Sequence, residues 1–465
     1  MKNLYILTEE RPKISVLATI LQKFSTDQKA PCFIDNLRIL PILEKDTFSF
    51  TYELIGFRSN IVNKVFIKTV SGTSSFADFL IFYQENIPTP TDTPLYAIEE
   101  TKTDDKESRN TGVYQRITKF IFLNFYYPNT KKIMLYALQI EQKEEPTETY
   151  IFGTKLLLTL GVEILGKKLD PQLFTPFTSV QEVINLKAQM CRPPAGNTPI
   201  LITQKHNLIE ISGRLFKNNS LAHDPNIGAL SAIAATLRHL GWEHTITITQ
   251  HGLSQKHLTP KNKFVQVANA LNLSIQGLTL PKASFAPQYW HYDLDGEKLG
   301  TIFIHLVVEN FTQGYSIFEN HAGCEKSYFV PKEGEPIPLA KYKDRTKYKA
   351  GDKNQIIHIP DLILLDFARC EVINIEGKKY QFRHNGIAEL ANYDYIEEHY
   401  IKKYYNPRKI IRTVVLYGST ETQLIEIEIG FLLNQNGQLI LGVQAPELFK
   451  EAIKNLLDFW NPCRN

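Results

Sequence analysis

The 465-residue chain has only five cysteines, and Cys32, Cys191, Cys324, Cys370 and Cys463 form no CxxC pair. That scatter argues against a zinc ribbon and against a disulfide framework. The opening MKNLYILTEERPK has no apolar signal core, and the greasiest runs, such as Ile121 to Tyr127, are too short to span a bilayer. A cytoplasmic protein with no membrane partner is expected. No P-loop, Rossmann glycine fingerprint or H-E-x-x-H occurs, so nucleotide-driven motors, dehydrogenases and zinc proteases lose their main support. Solenoid repeats and low-complexity tracts are absent too. The net charge is only +3, which permits a nucleic-acid partner without demanding one.

What is present is the composition of a folded protein, 43% apolar and 22% charged, in a chain too long for one ordinary core. The Pro-rich passage 191–200 is the best linker, because it fixes backbone and carries little to bury. Two lobes are therefore expected, 1–190 and 201–465. In the first, the spacing predicts a helix over Ile14 to Phe24 and strands at Phe48 to Ile55, Lys64 to Val70 and Phe79 to Tyr83. In the second, Asp224, Pro225 and Gly241 punctuate a helix whose buried stripe is Ile227, Leu230, Ile233, Ala234 and Leu237. A strand at Thr245 to Thr249, a helix around Phe264 to Leu271 and a strand at Ile302 to Val308 follow.

Chemistry concentrates in Pro360-Asp361-Leu-Ile-Leu-Leu-Asp366 and Glu371-Val-Ile-Asn-Ile-Glu376-Gly-Lys378. Both apolar runs suit strands, with a turn at Phe367 to Cys370. Folding them as a hairpin brings Asp361 to the Glu376 end, and strand alternation puts Glu376 and Lys378 on one face. Two carboxylates and an ammonium suit phosphodiester hydrolysis. One or two carboxylates suffice to hold Mg²⁺ as metal cofactor, and Lys378 can orient or deprotonate the nucleophile or stabilise the phosphorus centre. Gly377 would let a phosphate backbone approach. The Glu-x-Lys spacing by itself is cheap, since Asp27/Lys29, Asp104/Lys106 and Glu141/Lys143 have the same acid-x-Lys form on expected surface.

Pro-Asp361, an apolar strand and Glu376-Gly-Lys378 resemble the PD-(D/E)xK signature of type II restriction endonucleases. The helix-compatible Asn385 to Tyr405 and the strand Ile410 to Tyr417 follow in that family's order. The resemblance implies an α/β fold, with a restriction-endonuclease-like mixed sheet flanked by helices in the C-terminal lobe. It implies Mg²⁺-dependent cutting of double-stranded DNA, Asp361 and Glu376 as metal ligands, Lys378 as the catalytic lysine, and a cognate DNA methyltransferase as functional partner. It leaves oligomerisation open. Rival readings are a repair or recombination nuclease on the same fold, an RNA-processing nuclease, and a DNA-binding protein with an inactive nuclease core.

The N-terminal part repeats the outline. Asp78 heads a strand, a Pro-rich loop through Pro88, Pro90 and Pro94 reverses the chain, and Leu95 to Lys102 returns. Asp78, Glu100 and Lys102 thus resemble a second triad, with Asp78 and Glu100 as ligands, and imply a second such core. The departures are the missing proline before Asp78 and the longer Pro-rich turn. Glu99 competes with Glu100 for the acidic role, though its side chain should face the other way. Two triads would suit an enzyme with one centre for each DNA strand, and would equally suit one live centre beside a recognition domain built on an old duplicate. Arg109, Asn110, Gln115 and Arg116 are candidate contacts to phosphates or base edges. Lys341, Lys343 and Arg345, interleaved with Tyr342 and Tyr348, are further candidate DNA contacts. Glu319 or Glu325 is a candidate auxiliary acid, while a His321/Cys324 metal site lacks partners at ligand spacing. His251, His257, His291 and His305 read as isolated structural or surface residues.

Overall fold

The computed structural model describes residues 1–44, 47–73, 75–101, 112–136, 147–190, 200–212, 225–293, 298–319, 327–417, 430–433, 439–442 and 445–460. It is a mixed α/β protein whose mixed sheets are flanked by helices. The largest sheet contains β1 (Lys2–Thr8), β2 (Cys32–Glu44), β3 (Thr47–Ser59), β4 (Val62–Gly72), β5 (Phe79–Gln84), β6 (Tyr96–Thr101), β7 (Lys131–Tyr136) and β8 (Glu163–Leu165). Its order is β2-β3-β4-β1-β5-β6-β7-β8. Strand alternation divides its apolar residues between two cores. Leu80, Phe82, Ala97 and Met134 enter one, under α2 (Gly112–Leu123) and α3 (Glu148–Thr159). Phe79, Ile81, Tyr96 and Ile98 enter the other, against Val16, Leu17 and Ile20 of α1 (Ile14–Asp27).

The first core does not end at the Pro-rich passage, whose residues 191–199 lie outside the described ones. After α4 (Val180–Gln189) comes a four-stranded sheet of β9 (Leu201–Lys205), β10 (Leu208–Ser212), β11 (Thr245–Thr249) and β12 (Leu273–Ile275). With α5 (Pro225–His239) and α6 (Lys263–Ala270), it contributes Ile209, Leu230, Ile248 and Phe264 to that same core. Then β13 (Trp290–Tyr292) pairs antiparallel with β4. Packing therefore carries the first body on to Tyr292, past the expected boundary at 191–200. Prolines mark a loop, and only the apolar contacts on either side decide whether a core ends there.

A second mixed sheet, ordered β14-β17-β18-β19, consists of β14 (Tyr315–Glu319), β17 (Leu362–Asp366), β18 (Glu371–Lys379) and β19 (Lys409–Tyr417). A small ribbon of β15 (Ser327–Phe329) and β16 (Ile337–Leu339), then α8 (Arg345–Lys349), precede the β17–β18 hairpin. Its turn covers 367–370, with Cys370 at φ +54°. Between β18 and β19 lie α9 (Arg383–Leu390), α10 (Asp394–Ile396), a π-helical turn at Glu397–Ile401 and α11 (Lys402–Tyr405). The helix expected over Asn385 to Tyr405 is thus broken into pieces. In this sheet neighbouring strands run antiparallel, antiparallel and parallel. The path β1-β5-β6-β7 shows the same succession.

Ile302 to Val308, expected as a strand, lies within α7 (Lys298–Phe311). The run is buried nearly all round, packing with α12 (Glu447–Trp460) between the two large sheets, so it lacks the polar face that reveals helical period. Glu309 fastens α7 to the N-terminal segment through Arg11 at 2.8 Å and pairs with His305, one turn earlier on the same helix, at 3.0 Å. Burial opposes ionisation of Glu309. The His305 bond and charge, Arg11 and the Ser316 N–H outweigh it and hold the carboxyl down at about 2.

A depressed carboxyl pKa stabilises the fold above its ordinary value near 4.5, and that contribution disappears as pH falls from there towards 2. A shift of this size corresponds to roughly 3 kcal/mol. Urea unfolding at pH 7 and pH 3 should show Glu309→Gln less stable than wild type at pH 7, with the gap narrowing at pH 3. An equal gap at both values would contradict the assignment.

Candidate active site

Asp361 sits directly ahead of β17, where Pro360 favours extended backbone in Ile359 before it. Leu362 pairs with Ile375, so Asp361 reaches the Gly377 position of β18, and Gly377 N–H donates to Asp361 Oδ2 at 3.0 Å. Leu362, Leu364, Ile373 and Ile375 point towards α7, which turns the opposite face of the hairpin towards α9 and α10. Glu376 and Lys378 lie on that second face. Lys378 Nζ stands 2.7 Å from Glu376 Oε1 and 3.1 Å from a Glu389 oxygen on α9. The buried Tyr393 hydroxyl donates to Glu376 Oε2.

The electrostatics follow from burial and crowding. Burial raises the Asp361 carboxyl, and Glu389 adds to the rise, against the Gly377 N–H, Lys378 and Lys298. Burial also raises Glu376, as do its hydrogen bond with Glu389 and the charge of Asp361, against Lys378 and Tyr393. Glu389 moves the other way, chiefly through its bond with Glu376. Burial would lower Lys378, but Glu376 and Glu389 outweigh it and keep the ammonium charged. Gly386 on α9 makes room for this side chain, since a Cβ there would lie 2.8 Å from Lys378 Cγ.

Behind the carboxylates is a polar layer. Asn374, two residues before Glu376, donates to Glu397 Oε1 at 2.7 Å, and Arg412 of β19 donates to Glu397 Oε2 at 2.7 Å. Arg412 also bonds Asp394 and the Leu390 carbonyl. These contacts fix α9 and α10 against the sheet and so position Glu389 and Tyr393. Neither residue carries a recognisable motif, although both lie in the helical stretch expected after the catalytic strand.

At the N-terminal hairpin, Glu100 N–H donates to Asp78 Oδ2 at 2.7 Å, matching the Gly377–Asp361 bond. The carboxylate sharing the Asp78 face is Glu99, not Glu100. Glu99 alternates with Ala97 and faces α2, whereas Glu100 alternates with Ile98 towards the α1 core. Lys119 of α2 approaches Glu99 Oε1 at 2.7 Å and Asp78 Oδ1 at 3.5 Å, and Arg116 stands 4.0 Å from Glu99. Burial and then Asp78 push Glu99 up to about 7, against Lys119 and Arg116. Lys263, opening α6, is pushed down to about 8 by burial and by Lys119. Lys102, Arg109 and Asn110 lie outside the described residues. So does Glu325, and the Gln115 and Glu319 side chains are not described, though the Glu319 backbone pairs with Leu362 beside Asp361. The helical spacing of Arg116 and Lys119, three residues apart on one face, was the available signal for their joint role.

Lys341, Lys343 and Arg345 are exposed. Lys343 lies over the Tyr395 ring at 4.9 Å, two residues from Tyr393. Among the described residues no helix is long and apolar enough to cross a membrane. No group of three or more His, Cys, Asp and Glu that could enclose a metal ion occurs among them either. The C-terminal donor set is two oxygen ligands, Asp361 and Glu376, whose mutual repulsion a cation would relieve. Such a set fits Mg²⁺, which needs few carboxylates and keeps several waters. No family model, curated protein or solved structure matches this chain.

Tyr393→Phe removes the hydroxyl that holds Glu376 while keeping the ring. A stability loss of about 1–2 kcal/mol is expected from urea unfolding, as for a buried bond to an ionisable group. An unchanged unfolding midpoint would count against Tyr393 as the carboxylate's anchor.

Proposed function

We propose that the chain is a type II restriction endonuclease that hydrolyses phosphodiester bonds in double-stranded DNA with Mg²⁺, on a restriction-endonuclease-like C-terminal core. The observation carrying this reading is the convergence of Asp361, Glu376 and Lys378 at one end of the β17–β18 hairpin. A DNA methyltransferase protecting the same sites is the functional partner implied by such an enzyme.

In the hydrolysis a water oxygen bonds to phosphorus, one ester P–O bond breaks, the water gives up a proton, and the departing oxygen takes one. Mg²⁺, when bound, supplies charge neutralisation and acidifies the attacking water. Asp361 and Glu376 would hold it. The Gly377 N–H keeps the Asp361 carboxylate on the hairpin end, and Tyr393 sets the rotamer of Glu376. Lys378, held charged by two carboxylates, serves as a donor to phosphate oxygens and as compensation for developing negative charge, in preference to acting as a base. The exposed Lys341, Lys343 and Arg345 would neutralise DNA phosphates, an affinity term that weakens with salt.

Plasmid DNA incubated with Mg²⁺ should give discrete fragments, and chelation should abolish them. Glu376→Gln and Lys378→Met should each slow single-turnover formation of linear fragments by about 10²–10³-fold or more, the scale for losing a key electrostatic group. Full activity in Glu376→Gln would overturn the assignment. Fragments from structured RNA but not from duplex DNA would redirect the substrate.

A further inference from the structure

Resting on that reading of the C-terminal centre, we infer that the N-terminal sheet holds a second phosphodiester-hydrolysing centre built from Asp78, Glu99 and Lys119, with Arg116 and Lys263 as phosphate donors. The registers of the two hairpins coincide. Phe79 pairs with Ile98 as Leu362 pairs with Ile375. Asp78 and Asp361 therefore precede equivalent residues, and each carboxylate accepts the backbone N–H of the residue two beyond that strand partner. In this alignment Glu99 occupies the place of Glu376, and Thr101 occupies the place of Lys378. The ammonium that β6 lacks at Thr101 comes from the helix covering the same face, because Lys119 lies 2.7 Å from Glu99 as Lys378 lies 2.7 Å from Glu376.

An ion cluster serving only the fold would satisfy its donors. Arg116 Nε is buried at the Glu99 side and has no hydrogen-bond partner among the described residues. Lys263 opens α6, which packs against α2, and it feels the charges of Lys119 and Glu99, yet it makes no ion pair among the described residues. A phosphodiester oxygen supplies acceptors for both, and the carboxylate pair Asp78 and Glu99 offers the same two-oxygen donor set for a divalent cation. Water again supplies the oxygen bonded to phosphorus, and one ester bond again breaks. Each centre would then cut one strand of the duplex.

The test titrates the full chain with Mn²⁺, following free ion by electron paramagnetic resonance, and in parallel follows supercoiled plasmid with Mg²⁺. Wild type should bind two ions, while Glu99→Gln and Glu376→Gln should each bind one and stop at nicked circles. Asp78→Asn supplies the same comparison if Glu99→Gln melts early. Arg116→Gln should keep two ions but weaken plasmid binding. One ion in wild type, lost in Glu376→Gln and kept in Glu99→Gln and Asp78→Asn with full linearisation, overturns the second centre and leaves the first intact. Loss of the second ion in Glu100→Gln, with Glu99→Gln unaffected, overturns the residue assignment. No ion and no cleavage in wild type overturns both readings.

Discussion

A strand-head aspartate that accepts a backbone N–H from the neighbouring strand organises both halves of this molecule. In each hairpin the strand ladder would otherwise stop and leave that N–H unpaired. The carboxylate completes the ladder with a charge-assisted bond, and in doing so it is fixed beside the acid of the next strand. Register, satisfaction of the backbone and placement of a functional group are thus one interaction. Asp361 and Asp78 are held by main chain, and no side-chain rotamer elsewhere needs to be right for them to be in place.

The next constraint is the burial of a second carboxylate beside the first. Glu376 and Glu99 are both almost fully buried, and each would be costly if left unpaired. The two sheets solve this differently. At the C-terminal hairpin the ammonium comes from the same strand and the phenol of Tyr393, at the start of α10, completes the set. At the N-terminal hairpin the ammonium comes from α2 and no phenol contacts Glu99 among the hydrogen bonds described. A helix-borne lysine is free to vary in sequence distance from the acid, and this decides what a spacing-based reading can find.

That difference explains how much was legible in the sequence. Strand alternation and a turn sufficed for Asp361, Glu376 and Lys378, because all three belong to one hairpin and period two leaves no freedom. Adjacent Glu99 and Glu100 offered two phases for the same strand. Pairing Glu100 with Lys102 selected Glu100, whose side chain faces the α1 core, whereas the position of Asp78 selects Glu99. Lys119, Glu389 and Tyr393 are brought in by helix packing, which local patterning cannot specify. Strand-like Ile302 to Val308 failed for a related reason, since a helix buried all round shows no polar stripe. Residues 191–199 lie outside the described ones, and apolar residues from both sides of that passage share one core.

Helix α7 then links the chemistry to the architecture. Its apolar residues Leu306, Val307 and Val308 share one core with Ile81 and Ile98 of the first sheet and Leu364 and Ile375 of the second. At its start, Lys298 acts electrostatically on both Glu9, beyond the end of β1, and Asp361. Glu9 lies beside the Asp78 end of its sheet, because Thr8 pairs with Phe79. Lys298 also stands 3.7 Å from Glu10, so one ammonium acts on the acidic ends of both sheets. Two centres joined by a short flexible linker would have to find their relative positions on each substrate, at a cost in entropy. A continuous apolar core settles the arrangement of the two sheets during folding, as the proposed double-strand cut by two one-strand centres would require.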